Sequence, residues 1–301
     1  MKTVLKENQG IPSKILWILA IVGGISVANL YYNQPLLNMI RLDLNITEFQ
    51  ANLISMITQI GYAMGLFFIV PTGDLIKRKK IVMTCFSILV VSLIAIGLSQ
   101  NIYTLWFASL ITGICSIVPQ IFVPIAAQYS IPKNKGRNVG IILSGLLTGI
   151  LASRILSGFV GEYWGWRSMF FIAAALMLIS TVVIAINIPE INPTFKGNYK
   201  QLIGSLSSLV VNYPRLLIYS SRTGLAFGSL LAMWSTLAFK MKLAPFFAGS
   251  HTVGMLGLCG VAGALVASFV GRYVKKVGVK TFNVIGCLLF IIAWGNLILI
   301  E

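Results

Sequence analysis

Nine apolar stretches in a chain of 301 residues limit the fold more than any other feature. They run Ile15–Ile40, Phe49–Gly73, two within the uncharged segment Ile81–Pro132 divided at Ser99, Gln100 and Asn101, then Asn138–Gly161, Ser168–Pro189, Leu216–Phe239, Thr252–Gly271 and Thr281–Ile300. An α-helix needs about 20 apolar residues to cross roughly 30 Å of hydrocarbon, and each stretch is close to that length. Inside a bilayer no water satisfies an open backbone, so each stretch is expected to be helical. The expected fold class is an all-α, polytopic membrane protein.

The charges support this reading and orient it. The chain is 57% hydrophobic and 10% charged, with a net charge of +16. A nucleic-acid partner needs a continuous basic patch; here the basic residues stand at the ends of the apolar stretches. Seventeen of the 23 fall in alternate connections: Lys2, Lys6 and Lys14; Lys77, Arg78, Lys79 and Lys80; Lys133, Lys135 and Arg137; Lys196, Lys200 and Arg215; Arg272, Lys275, Lys276 and Lys280. The other connections hold only Arg41, Arg167, Lys240 and Lys242, while Arg154 and Arg222 lie within spans. By the positive-inside rule the N-terminus is expected in the cytoplasm, with the chain a multi-pass protein of the cell (plasma or inner) membrane.

Enzymatic and cofactor readings find little support. Cys85, Cys115, Cys259 and Cys287 all lie in apolar stretches without ligand spacing, His251 is the one histidine, and no Walker-type loop is present. No metal, cofactor or catalytic residue is expected. The first stretch is too long for a signal-peptide core and reads as a retained span.

The longest polar interruption, Glu190 to Arg215, separates six spans from three. Within it Tyr199, Leu202, Ile203, Leu206 and Val210 recur at helical spacing, which predicts an amphipathic helix on the cytoplasmic surface. The expected organisation is an N-terminal six-helix bundle over 1–189, a linker over 190–215 and a three-helix segment over 216–301. An internal echo supports two related halves. Val70 to Lys79 follows the second span, Gly271 to Lys280 follows the eighth, and aligning Asp74 with Lys275 sets an offset of 201 residues. Parallel six-helix repeats of this kind are typical of secondary transporters.

These loops resemble the signature of the major facilitator superfamily, Gly-x-x-x-Asp-Arg/Lys-x-Gly-Arg/Lys-Arg/Lys. The first keeps Asp74 and the basic run but has Val70 and Lys77 where the family has glycine; the second has Lys275 in place of the acid. Asn29 to Pro35, Val118 to Gln120, Gly145 to Gly149 and Gly165 to Arg167 are similar to segments of a bacterial drug-efflux-like branch. The resemblance implies alternating access, proton-coupled efflux, and twelve spans, so that the last three helices are expected to be missing here. It also implies that Asp74, with Arg78 and Lys276 in the two loops, forms a conformational latch, and that Gly145 and Gly149 lie where the halves meet.

Arg154 is the sharpest site candidate. An arginine within a span costs roughly 2.5–3.5 kcal/mol on insertion scales. It either faces a cavity, where an anionic group can meet it, or snorkels to the outer interface. Asn29, Tyr32 and Asn33 in the outer half of the first span, Gln120 in the fourth and Trp234 in the seventh are the other cavity candidates. The expected partners are a small molecule, anionic or drug-like, with protons and the lipid bilayer. The expected function is secondary transport by alternating access. The alternatives are a non-transporting membrane receptor or assembly protein, and an inactive remnant of a transporter.

Overall fold

The computed structural model describes residues 5, 7–191, 193, 195, 197–244, 246–258, 273 and 277–299. The described chain is helical throughout: α1 (Ser13–Ala28), α2 (Leu37–Asp43), α3 (Glu48–Phe68), α4 (Arg78–Leu98), α5 (Ile102–Cys115), α6 (Val118–Tyr129), α7 (Lys135–Trp164), α8 (Trp166–Asn187), α9 (Tyr199–Asn212), α10 (Pro214–Lys240), α11 (Ser250–Met255) and α12 (Val279–Leu299). Two compact units result, Met1–Gly257 and Leu258–Glu301.

Six helical segments among the described residues are long and apolar enough to span a membrane: Glu48–Asp74, Arg78–Leu98, Ile102–Tyr129, Pro132–Trp164, Trp166–Asn187 and Pro214–Lys240. The shorter apolar helices Ser13–Ala28 and Lys280–Gly295 stand at the first and ninth expected spans. Of the eighth, only the start is described, as α11 and the 3-10 turn Leu256–Leu258. Cys259 and residues 260–271 lie outside the described residues.

The first span is not one continuous helix. After α1 the backbone tightens into turns and the 3-10 segment Gln34–Leu36 before α2 resumes. Pro35 has no N–H and disfavours helix at Gln34 before it. The Asn29 amide donates to the Ile25 and Ser26 carbonyls at 3.1 Å each, satisfying acceptors near the end of α1. The fourth span breaks similarly between α5 and α6, where Pro119 cannot continue the ladder and Ser116 Oγ donates to the Thr112 carbonyl at 2.7 Å. Capping boxes start α3, with Thr47 and Gln50, and α9, with Asn198 and Gln201.

Within the first unit α3 lies along α5, α1 along α7, and α4 along α8 and α5. Leu19, Phe86, Leu89, Leu93, Leu105, Phe122, Met169 and Met177 fill the interior. Val91, Phe107, Leu178 and Ile186 point outward and are exposed, as suits helices whose surroundings are lipid. Connections gather at two ends. At the end carrying Lys77 to Lys80, the Asn8 N–H bonds the Gln128 carbonyl and the Arg78 N–H bonds the Ile191 carbonyl. At the other end Asp43 accepts from the Trp166 indole at 3.2 Å and pairs with Arg167, which also donates to the Ser99 carbonyl at 2.9 Å. The hydrogen bond from Arg167, more than any other cause, holds the Asp43 carboxyl below its usual range.

The glycines of α7 set its distance to its neighbours. A Cβ on Gly24 of α1 would lie 2.5 Å from the Gly145 carbonyl oxygen, and one on Gly149 would strike the Gly24 backbone. Only bare backbone fits this crossing. The first part of α10 carries exposed Leu216, Leu217, Ile218 and Tyr219, and its last turns bury Trp234, Ala238 and Phe239. In the second unit α12 is an apolar helix with exposed Leu288, Leu289, Ile291 and Ile292.

Candidate functional site

The break in the first span places Tyr31 and Gln34 beside the middle of α7. The turn Gln34–Leu36 touches α7, α10 and α11, so residues from early and late in the chain converge there. Arg154 sits at this point and is only 4% exposed. Its Nε donates to Gln34 Oε1 at 3.0 Å and one terminal nitrogen donates to the Ile150 carbonyl at 3.2 Å. Its guanidinium carbon lies 4.8 Å from the Tyr31 ring centroid and 4.5 Å from that of Trp234, itself 7% exposed.

This arrangement is not snorkelling, since the head group is enclosed by side chains of α7, α10 and the first span. Burying an ion costs several kcal/mol even after relaxation. A desolvated cation–π contact returns about 2 kcal/mol, and two rings and two hydrogen bonds share the work here. No carboxylate among the described residues pairs with Arg154. The site is therefore a net positive centre, which favours an anion.

The other cavity candidates fall in different surroundings. Trp234 joins Arg154 directly. Asn33 is buried against α3, donating to Thr58 Oγ1 at 3.3 Å and accepting from Ser55 Oγ at 3.0 Å. Gln120 donates to the Tyr62 hydroxyl at 3.0 Å, tying α6 to α3. Asn29 caps its own helix, and Tyr32 is enclosed in the apolar core. Gln34 and Tyr31 emerge as direct neighbours of Arg154.

Of the gating candidates, Asp74 and Arg78 meet in an ion pair at 3.2 Å. Arg78 is 8% exposed and also donates to the Gly73 carbonyl at 3.3 Å and Gln128 Oε1 at 2.9 Å. Gln128 in turn bonds Glu7, Lys77 pairs with Glu190, and the Phe195 N–H donates to the Asp74 carbonyl at 3.0 Å. The loop is thus clamped by the N-terminal segment and the linker. Lys276 lies outside the described residues. Gly145 and Gly149 pack on α1, within the first six spans, not on the later part of the chain. The contact of α7 with α11 lies further along α7: a Cβ on Gly254 would sit 2.5 Å from the Arg154 carbonyl oxygen, and one on Gly158 would sit 2.5 Å from that of Ser250. Glu162 fixes this junction by accepting from the Ser250 N–H at 2.7 Å.

The second apolar stretch, Phe49–Gly73, marks α3 as a span, but none of its polar side chains is among the sequence candidates. Asn52, Ser55, Gln59 and Tyr62 recur at helical spacing and form one polar stripe on an apolar helix. That periodicity was the available signal.

Residues 17–300 match the family model described as Major Facilitator Superfamily. The chain is 32% identical over 289 residues to the uncharacterized transporter YgaY of Escherichia coli O157:H7, covering 96% of this chain and 73% of that one. It is 28% identical to the sialic acid transporter NanX of Escherichia coli K12, covering 93% of this chain and 70% of that one. Among solved structures, a bacterial homolog of the human lysosomal transporter Spinster, inward-facing and occupied, superposes with a TM-score of 0.70 at 15% identity. That match covers 89% of this chain and 62% of the other, so the chain spans less than two thirds of that structure's length.

Proposed function

The chain belongs to the Major Facilitator Superfamily, and from that premise we propose that it is a secondary transporter moving a small organic acid across the membrane by alternating access. The observation that carries this reading is buried Arg154, held between Tyr31 of the first span and Trp234 of α10 without a carboxylate partner among the described residues. A cation at a junction between early and late helices is placed both to attract an anion and to change partners when those helices separate. A named sialic acid transporter among the relatives supports an acidic substrate.

The charge pattern supports a cytoplasmic N-terminus in the plasma or inner membrane. In that orientation the α7–α11 junction and the Arg154 cluster lie toward the outer side. The arrangement then corresponds to an outer side closed by these contacts. Residues 1–189 form the first half, 190–215 the linker, and 216–301 belong to the second half. Efflux direction and proton coupling rest on family resemblance; the acids among the described residues, Glu7, Asp43, Glu48, Asp74, Glu162 and Glu190, stand at helix ends or in connecting segments.

The test is uptake of radiolabelled sialic acid, followed by a panel of small carboxylates, into liposomes holding the chain. Arg154→Ala is expected to abolish saturable flux, and Arg154→Lys to restore part of it, because an ammonium lacks the planar fork. Full flux with Arg154→Ala would sink the reading. No saturable flux of any acid would instead favour a non-transporting receptor or an inactive remnant.

A further inference from the structure

We propose that the groove between α3 and α10 is a recognition subsite for a small amphipathic acid, with acceptor oxygens at one end and a hydroxyl at the other. The proposal rests on the reading of organic-acid transport above and specifies the substrate's chemistry.

The groove encloses about 470 Å³, within the usual range of roughly 300–1,000 Å³ for small-molecule sites. Its walls are mostly apolar, with Phe49, Leu53 and Met56 on one side and Leu231 on the other. Gln34, Asn52, Ser55, Gln59, Ser235 and Thr236 interrupt them, and three of these have a buried atom without a hydrogen-bond partner: Gln34 Nε2, Asn52 Oδ1 and Gln59 Nε2. Buried polar atoms are nearly always paired. Three unpaired ones around a single groove point to a ligand that pairs them.

Gln34 is the informative member because its amide cannot be flipped. It is 1% exposed, and Arg154, which can only donate, bonds its oxygen. The amide nitrogen is therefore the group left for the groove. Donation from a cation to the amide oxygen also strengthens the N–H on the other side. Arg154 thus acts as a positioning residue that turns Gln34 into a fixed donor and biases the groove toward an anionic acceptor.

The polar groups also set a length. Asn52 and Gln59 are two turns apart on α3, roughly 10 Å by helical rise. Asn33, next to Gln34 in sequence, bonds Ser55 and Thr58, which lie between Asn52 and Gln59 on α3, and Gln34 lines the same groove. A carboxylate would accept from Gln34 and Gln59, an apolar body would lie against Leu53 and Leu231, and a remote hydroxyl would donate to Asn52 Oδ1. A lipid tail offers no acceptor or donor at these positions.

The probe is 3-(4-hydroxyphenyl)propionate, titrated calorimetrically at up to millimolar concentration against the 301-residue chain in nanodiscs, with 3-phenylpropionate as comparison. Gln59→Leu and Gln34→Leu should each weaken the first probe by about tenfold or more. Asn52→Leu should weaken it while leaving 3-phenylpropionate unchanged. Ser235→Trp, which fills the groove from α10, should abolish binding of both. Arg154→Lys should weaken the probe, and combined with Gln34→Leu should be no worse than Gln34→Leu alone, a coupling that a purely structural role does not produce. Should Gln34→Leu fail to fold, Gln59→Leu and Ser235→Trp, on separate helices, still decide the matter. Absence of binding, or binding unchanged by both, overturns the subsite. Arg154-dependent uptake that survives Ser235→Trp overturns the subsite and leaves the transport reading intact. Binding with the expected variant pattern but no uptake overturns the transport reading and keeps the subsite.

Discussion

Gly140 and Gly149 occupy the same helix and call for opposite outcomes on substitution by alanine. Beyond Gly140 there is open space, and a Cβ meets nothing within 4 Å. Beyond Gly149 stands the backbone of Gly24, which cannot rotate aside. Gly149→Ala should force α1 and α7 apart and destabilise the unit by about 1–3 kcal/mol, the usual cost of overpacking. Gly140→Ala should be neutral or stabilising, by up to about 1 kcal/mol from helix propensity. Unfolding temperatures in detergent compare the two directly, and equal losses would contradict the crossing. Asp43 gives a second test at this scale. Its carboxyl is depressed in the folded chain, chiefly by the hydrogen bond from Arg167. A depressed carboxylate stabilises above its unfolded pKa, near the ordinary 3.8, and loses that stabilisation as pH falls through the folded value. Acid should therefore lower the unfolding temperature more steeply for the unsubstituted chain than for Asp43→Asn.

At the scale of elements, the apolar stretches show how far sequence reasoning reaches. Length and hydropathy located the described spans, and the spacing of Tyr199, Leu202 and Ile203 located α9. They did not show that Gln34 to Leu36 forms a tight turn. A long apolar run hides such a break, although Pro35 within it was visible. The consequence is functional, because only the turn brings Tyr31 and Gln34 to Arg154. The clamp on the first loop was legible only in part. The resemblance pointed to Asp74 and Arg78, which form an ion pair, whereas the bonds that Gln128 and Glu190 accept and Phe195 donates join residues distant in sequence. If this clamp holds the linker, Arg78→Gln should release it. Limited trypsin digestion should then cut after Lys200 sooner than in the unsubstituted chain, and an unchanged rate would remove the clamp's role.

For the whole molecule, charge carries information that burial does not. The second copy of the internal echo, Gly271 to Lys280, includes Lys275 and Lys276, which lie outside the described residues, so the repeat is read from sequence alone. Orientation also rests on sequence, through the seventeen basic residues that fall in alternate connections. The structure adds an independent constraint. Linker residues Glu190 and Ile191 bond the loop carrying Lys77 and Arg78, and Asn8 bonds the Gln128 carbonyl, so the N-terminal segment, that loop and the linker share one end. Moving a charged loop across the bilayer would carry its partners along, which makes the side of one loop the side of all three. If all nine apolar stretches of the sequence cross the bilayer with the N-terminus inside, a reporter fused after Gly197 should be cytoplasmic and one fused after Glu301 external. A fusion within the loop at Lys79 must agree with the Gly197 fusion. Disagreement between those two would break the contacts seen at the basic end, while both fusions external would leave the fold intact and reverse the orientation. Reversal would also place the Arg154 junction toward the cytoplasm and turn the outer closure into an inner one, so the side on which an acid first meets Arg154 is decided by the same measurement.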